Sequence, residues 1–328
     1  MRALPNVVAG RRRRGALIAL AMTVATVVGF STGAFATPLA AGGGAAAAKA
    51  PAVTEYTLGQ AYFAGKGASR SSVVGNGGVL VVGGAYRVRW WGEQARPRLT
   101  LQRKVGSGAW RTTAAKVALT DDGIVTRTPA YSTSARTRTV AYRIVSSAYS
   151  SASGRVRGTS RSHVLTVVYE NQQRYTGLAR TIYEAAKPYC PSTAVHVGTL
   201  DGAAGDYRTG TLLIRAIPEI AAYEPIDVRA VALHECSHER QWLNYGGSAA
   251  GHVRMAKDAK ALFSDWTKPA DVTTPYRYED PDAAITPIEH AADCGAQALN
   301  PGGYLGYGGW CSDAELAAGK RLLLGRRY

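Results

Sequence analysis

The sequence predicts a multidomain chain: an all-β antiparallel sandwich over residues 56–169, followed by an α+β unit over 170–328. Three observations predict it. Short β-type runs separated by turn residues fill the front half, apolar residues change to helical spacing behind residue 170, and the charge balance changes at the same place. Apolar residues make up 46% of the 328 and charged residues 19%, near the globular norm, which excludes intrinsic disorder and a polytopic membrane protein. Residues 56–168 hold 17 basic against 3 acidic side chains, whereas 169–328 hold 16 against 19. The basic front half suggests either an anionic partner, such as a cell-wall polymer, a membrane surface or nucleic acid, or plain solubility charge on a β domain.

Taken in order, the chain opens with Arg11, Arg12, Arg13 and Arg14 ahead of an apolar run over 16–30, and Ala34 and Ala36 supply the small residues a signal peptidase reads. Residues 1–36 are expected to be a secretory signal peptide cut after Ala36. Gly29, Ser31, Thr32 and Gly33 break the run short of the roughly 18–20 residues an anchor requires, so no integral span is expected once it is removed. Residues 37–55, rich in Ala and Gly without apolar periodicity, read as a flexible tether. Strands are expected at 79–82, 86–91, 98–103, 110–116, 124–128, 137–145 and 163–169. Leu99 and Leu101, and Val140, Tyr142 and Ile144, alternate with polar residues as strands with one solvated face do.

Behind residue 170, helices are expected at 175–189, 226–245, 249–264, 287–299 and 312–324, with strands at 194–200 and 209–215 around a turn at 202–205. The segment Val231-Ala232-Leu233-His234-Glu235-Cys236-Ser237-His238 lies in the middle of the second helix. At 3.6 residues per turn, histidines four apart share a face, so two imidazoles converge on one zinc ion while Glu235 reaches a water on it. Shuffling this composition gives roughly 0.004 such matches, so chance is a weak competitor. On the fourth helix Glu289 and Asp293 are also four apart. One of these two carboxylates is expected to complete three protein ligands, and the other to accept the free N–H of a ligand histidine.

Those two motifs together resemble the gluzincin metallopeptidases, in which HExxH is followed by a Glu ligand and an Asp four residues later. More narrowly, Glu289-His290-Ala291-Ala292-Asp293-Cys294-Gly295-Ala296 resembles the ExxADCxA signature of bacterial neutral zinc metallopeptidases. The resemblance spans about 226–299 and implies a zincin-like domain with His234, His238 and Glu289 as metal ligands, Glu235 as general base and Asp293 behind a histidine. The metzincin pattern is excluded, because Gln241 and Asn244 stand where it requires Gly and His. Two departures stand out: Glu239 follows the second histidine where such motifs usually carry an uncharged residue, and His290 offers a competing ligand. In front, Leu99-Thr100-Leu101-Gln102-Arg103, Gly108-Ala109-Trp110, Asp121-Asp122-Gly123 and Val140-Ala141-Tyr142-Arg143 resemble the immunoglobulin-like modules of secreted bacterial surface proteins, which implies a binding or spacer module.

All four cysteines, Cys190, Cys236, Cys294 and Cys311, fall in the back half of an exported chain, where two disulfides are the default. Three pairings are open. Cys236 lies about 200° around the helix from His234, away from the metal, which favours Cys190–Cys236 and leaves Cys294–Cys311. His196 and His252 lack ligand spacing and read as structural, His163 as an ordinary strand residue, and the aromatic segment 302–310 as a surface loop. The expected function is a secreted, zinc-dependent endopeptidase acting on a peptide or protein, with no nucleic-acid partner. The competing readings are a non-enzymatic wall-associated adhesion protein with a structural or degenerate zinc site, and a front half that is a removable propiece.

Overall fold

The computed structural model describes residues 55–63, 70–89, 98–120, 123–150, 156–157, 159–200, 203–207, 210–263, 286–303 and 311–328. The expected signal peptide, nearly all of the tether, Trp90, Trp91, Asp121, Asp122 and most of the aromatic segment 302–310 lie outside them.

Twelve strands come first among the described residues: β1 (Glu55–Phe63), β2 (Ser71–Gly75), β3 (Val81–Arg89), β4 (Leu99–Val105), β5 (Arg111–Thr112), β6 (Ala118–Thr120), β7 (Gly123–Arg127), β8 (Thr137–Ser146), β9 (Tyr149–Ser150), β10 (Val156–Arg157), β11 (Ser160–Arg161) and β12 (Leu165–Glu170). The back half follows with α1 (Gly177–Ala186), β13 (Ala194–Val197), β14 (Gly205–Tyr207), β15 (Leu213–Ala216), α2 (Pro225–Asn244), α3 (Ala249–Leu262), α4 (Pro287–Leu299) and α5 (Asp313–Leu323). Strands thus dominate the front and helices the back. No helix among the described residues is long and apolar enough to cross a membrane.

In front, one sheet runs β1-β3-β7-β6 and another β2-β12-β8-β4-β5, with β11 also paired to β8. Alternation explains how they meet. Val140, Tyr142 and Ile144 of β8 and Leu165, Val167 and Tyr169 of β12 point one way, into a buried cluster that also takes Phe63, Val82 and Ile124 from the other sheet. Tyr142 and Tyr169 are fully buried there and satisfy each other's hydroxyls at 2.9 Å. The runs expected at 79–82 and 86–91 form a single strand, because β3 is paired on both sides and the two ladders carry it through Gly83 and Gly84. The expected strand at 110–116 is reduced to the two residues of β5. β1 and β2 have no counterpart among the expected strands: β1 carries a register shift between Leu58 and Ala61, and β2 is held by parallel pairing to the distant β12.

In the back half, His234, Glu235 and His238 all lie on α2. Pro225 fits the first turn of that helix, whose N–H groups need no intrahelical partner, and Gly246 and Gly247 follow its end with positive φ. Cys236, fully buried, is bonded to Cys190 beyond α1, and Cys294 on α4 is bonded to Cys311. Of the three pairings open to the sequence, the structure adopts the favoured one. α4 lies close against α2 and α5 because small residues line it. A Cβ at Gly295 would fall 2.6 Å from Ser237 Oγ, and one at Gly319 on α5 would fall 2.5 Å from the Gly295 nitrogen. That close approach brings the first turn of α4 to the histidines of α2.

Candidate metal centre

His234 and His238 project from successive turns of α2, their rings edge to face with centroids 4.7 Å apart. Glu289 stands in the first turn of α4, where Thr286 caps the helix by accepting from the Glu289 N–H at 3.4 Å and Pro287 occupies the opening position. The three side chains meet in a triangle: His234 Nε2 to His238 Nε2 is 3.1 Å, His238 Nε2 to Glu289 Oε2 is 3.0 Å, and His234 Nε2 to Glu289 Oε2 is 3.2 Å.

The surrounding hydrogen bonds decide what those atoms offer. Asp293 Oδ1 accepts from His234 Nδ1 at 2.7 Å. Gln241 donates its amide to the Ile288 carbonyl at 2.8 Å, so its own carbonyl faces His238 Nδ1 at 2.7 Å and accepts from it. With both Nδ1 atoms protonated, neutral rings turn two Nε2 lone pairs and a carboxylate oxygen toward one point. Such a set repels itself unless a proton or a metal cation stands among them. Its edges are close to the roughly 3.3 Å between ligand atoms that lie about 2.0–2.1 Å from a tetrahedral zinc. The electrostatics agree. Burial opposes an imidazolium at His234, yet the carboxylates of Asp293, Glu289 and Glu235 outweigh it and raise its pKa well above the ordinary histidine value. Burial likewise opposes ionisation of Glu289, but the two histidines hold its carboxyl well below the usual range. The donor set is built for positive charge and fits a divalent metal ion.

Glu235 belongs to the same turn of α2, is 5% exposed, and stays outside the triangle. Burial raises its pKa, opposed by the two imidazoles. Over it passes β14, the edge strand of the sheet β13-β15-β14, antiparallel to β15. A Cβ at Gly205 would lie 2.6 Å from Glu235 Oε1, so the strand can run this close only with glycine there. This strand replaces the end of the turn expected at 202–205; three residues including Gly205 and Asp206 give too short a pattern to register as β. The neighbouring strands are also shorter or shifted from expectation, at 194–197 and 213–216.

Every residue expected at the metal therefore falls where the two motifs meet, and Gln241, which neither motif names, joins them. Its spacing carries a signal: it stands three residues after His238 and seven after His234, on the same helical face. Replacing Gln241 by Leu is expected to weaken zinc binding about 10- to 100-fold, read by competition with a chelator; unchanged affinity would deny it a part in orienting His238.

Other candidates separate from this centre. His290, also fully buried, lies with Nε2 3.2 Å from Glu315 Oε1 and forms a second potential donor group with Cys294 and Cys311. Those sulfurs are bonded to each other, so they offer no thiolate to a metal. His196 pairs with Glu170 at 2.8 Å, and Tyr175 donates to the same carboxylate at 2.6 Å, a clasp between the end of β12 and the back half. His252 packs near Trp242, and His163 is exposed on the front half.

Glu239, the charged residue that departs from the motif, is 2% exposed and accepts from Thr193 Oγ1. Burial pushes its pKa up from 4.5 to about 7, partly offset by the Thr193 hydrogen bond and by Arg240. A carboxyl whose folded pKa is raised disfavours the fold as pH climbs through that interval, because the native state holds the proton longer. The rise corresponds to roughly 3 kcal/mol fully felt above about pH 7 and absent below about 4.5. Glu239→Gln is accordingly expected to stabilise the chelated protein at pH 8 relative to pH 5, by thermal melts at both; an equal effect at the two pH values would contradict it.

No protein-family model matches the chain, and no curated protein matches it. Among solved structures it is similar to one described as "Structure of Titin M4 trigonal form", at 12% identity over 38% of this chain and 99% of that one, with a TM-score of 0.19, too low to define a shared fold.

Proposed function

We propose that the protein is a secreted zinc-dependent endopeptidase of the gluzincin type, with a zincin-like domain over residues 170–328 and an immunoglobulin-like module over 56–169. The observation that carries this reading is the triangle of His234, His238 and Glu289 with the buried carboxylate of Glu235 beside it. His234, His238 and Glu289 would hold a zinc ion, and the chemistry it would supply there is that of a Lewis acid toward a peptide carbonyl and a water. Asp293 and Gln241 keep the two rings in the tautomer that points Nε2 inward. Glu235, its pKa raised by burial, takes the proton from the attacking water and returns it to the leaving amine. β14 runs past Glu235 as a sheet edge, so an extended peptide can add to it and lie across the site. The apolar leader and the two disulfides support export.

The test is metal analysis of the purified protein together with cleavage of a peptide library, with and without chelator. One zinc per chain and chelator-sensitive cleavage restored by zinc are expected. A zinc-loaded protein that cleaves no peptide would overturn the reading in favour of a structural site.

A further inference from the structure

The outward face of the second front sheet carries a line of cations. On β8, Arg143 points away from the core, opposite to Tyr142 and Ile144. Its Nε donates to Gln102 Oε1 at 2.9 Å on the neighbouring β4, and its guanidinium lies 4.1 Å from the centre of the Trp110 ring. Lys104 Nζ stands 5.6 Å from the same ring. The register fixes how these charges are spread. Lys104 is opposite Ala141, Gln102 opposite Arg143, and Arg161 of β11 opposite Val145, on the edge of β8 away from β4.

Each step from Lys104 to Arg143 to Arg161 thus moves one strand across and two residues along. The three charges form a diagonal with steps of about 8 Å, given the roughly 4.8 Å between strands and 3.4 Å per residue. Arg161 is near enough to depress the Arg143 pKa, second to burial. Among the described residues no carboxylate pairs with any of the three. Like charges lined up on a sheet without counter-charges repel one another, and an external linear anion relieves that repulsion.

We propose that this face binds a linear polyol-phosphate polymer, laid along the Lys104–Arg143–Arg161 diagonal. The fixed guanidinium of Arg143 makes charge-assisted bonds to one phosphate, and Lys104 and Arg161 take its neighbours. The observations favour a polymer without bases: among the described residues of this face the ring is Trp110, which has the Arg143 guanidinium over it and so is not a free stacking platform of the kind single-stranded nucleic acids use. They favour a soluble chain over a lipid surface because most residues beside the diagonal, Thr100, Thr139, Ala141 and Thr166, are small or polar, Val145 opposite Arg161 is buried and Trp110 lies against Arg143, which leaves little apolar surface beyond Val164 to insert.

The experiment compares binding of the full mature protein to lipid-free poly(glycerol phosphate), to a single-stranded oligonucleotide of equal charge and to vesicles of anionic phospholipid, each across a salt series. Binding to poly(glycerol phosphate) is expected to exceed the other two. Combined Lys104→Gln, Arg143→Gln and Arg161→Gln is expected to lower affinity at least tenfold near physiological salt and to reduce the slope of log K against log salt by about 2 to 3. Arg180→Gln with Lys187→Gln, removing two exposed cations on α1 and just beyond it, is expected to change neither. Should the triple variant misfold, Arg161→Gln alone is read for a slope reduction of about 1. Tighter binding to the oligonucleotide or the vesicles, no binding to poly(glycerol phosphate), or an unchanged slope in the variants would overturn the proposal.

Discussion

Glu235→Gln is expected to reduce peptide turnover by on the order of 10²- to 10⁴-fold while leaving zinc content unchanged. Two features of the site produce that combination. Glu235 lies outside the triangle formed by His234, His238 and Glu289, so an amide in its place removes no ligand. Glutamine also has nearly the same shape, so the contact with β14 at Gly205 is kept. What disappears is a buried group able to take a proton, and among the described residues Glu289 is committed to the triangle and Asp293 to His234. Turnover close to that of the parent, with zinc still bound, would remove Glu235 from the reaction. The loss should appear in kcat rather than KM, as for a group acting only in the transition state.

Removing the Cys190–Cys236 disulfide by double substitution to Ala should cost about 4 kcal/mol, the loop-closure value for its separation of 46 residues. Both cysteines are fully buried in the cluster where α1 packs on the back of α2, alongside Ile182, Ala186 and Ala232. The bond therefore fixes the helix that carries the histidines from the side opposite the candidate metal site. A correspondingly lower unfolding midpoint is expected, together with weaker retention of zinc in chelator competition. A loss below about 1 kcal/mol would mean that the α1–α2 packing holds without the bond.

The candidate metal site is legible in the amino-acid order because its information is local. An α-helix repeats every 3.6 residues, so His234 with His238, and Glu289 with Asp293, each declare a shared face from spacing alone. The broad change from strands to helices near residue 170 is equally plain, since period and composition are properties of neighbouring residues. The disulfide pairing can only be favoured from sequence, because it depends on which buried face of α2 meets which partner.

Other features depend on contacts between segments far apart in the chain. Gln241 has the right face, but whether its carbonyl turns to His238 is settled by the Ile288 carbonyl across from it, 47 residues away, which claims its amide. β14 is too short to announce itself and becomes a strand because β15 pairs with it and Gly205 lets it rest on Glu235. β2 likewise exists through its parallel partner β12. The diagonal of Lys104, Arg143 and Arg161 is scattered in sequence and is created by register. Which residues form the candidate metal site, and which helices present them, can be read from the amino-acid order, because those are matters of helical period. How close the helices come, which hydrogen bonds orient the rings and which strand lies over Glu235 follow from the three-dimensional packing, because these depend on small residues such as Gly295, Gly319 and Gly205 meeting across the fold.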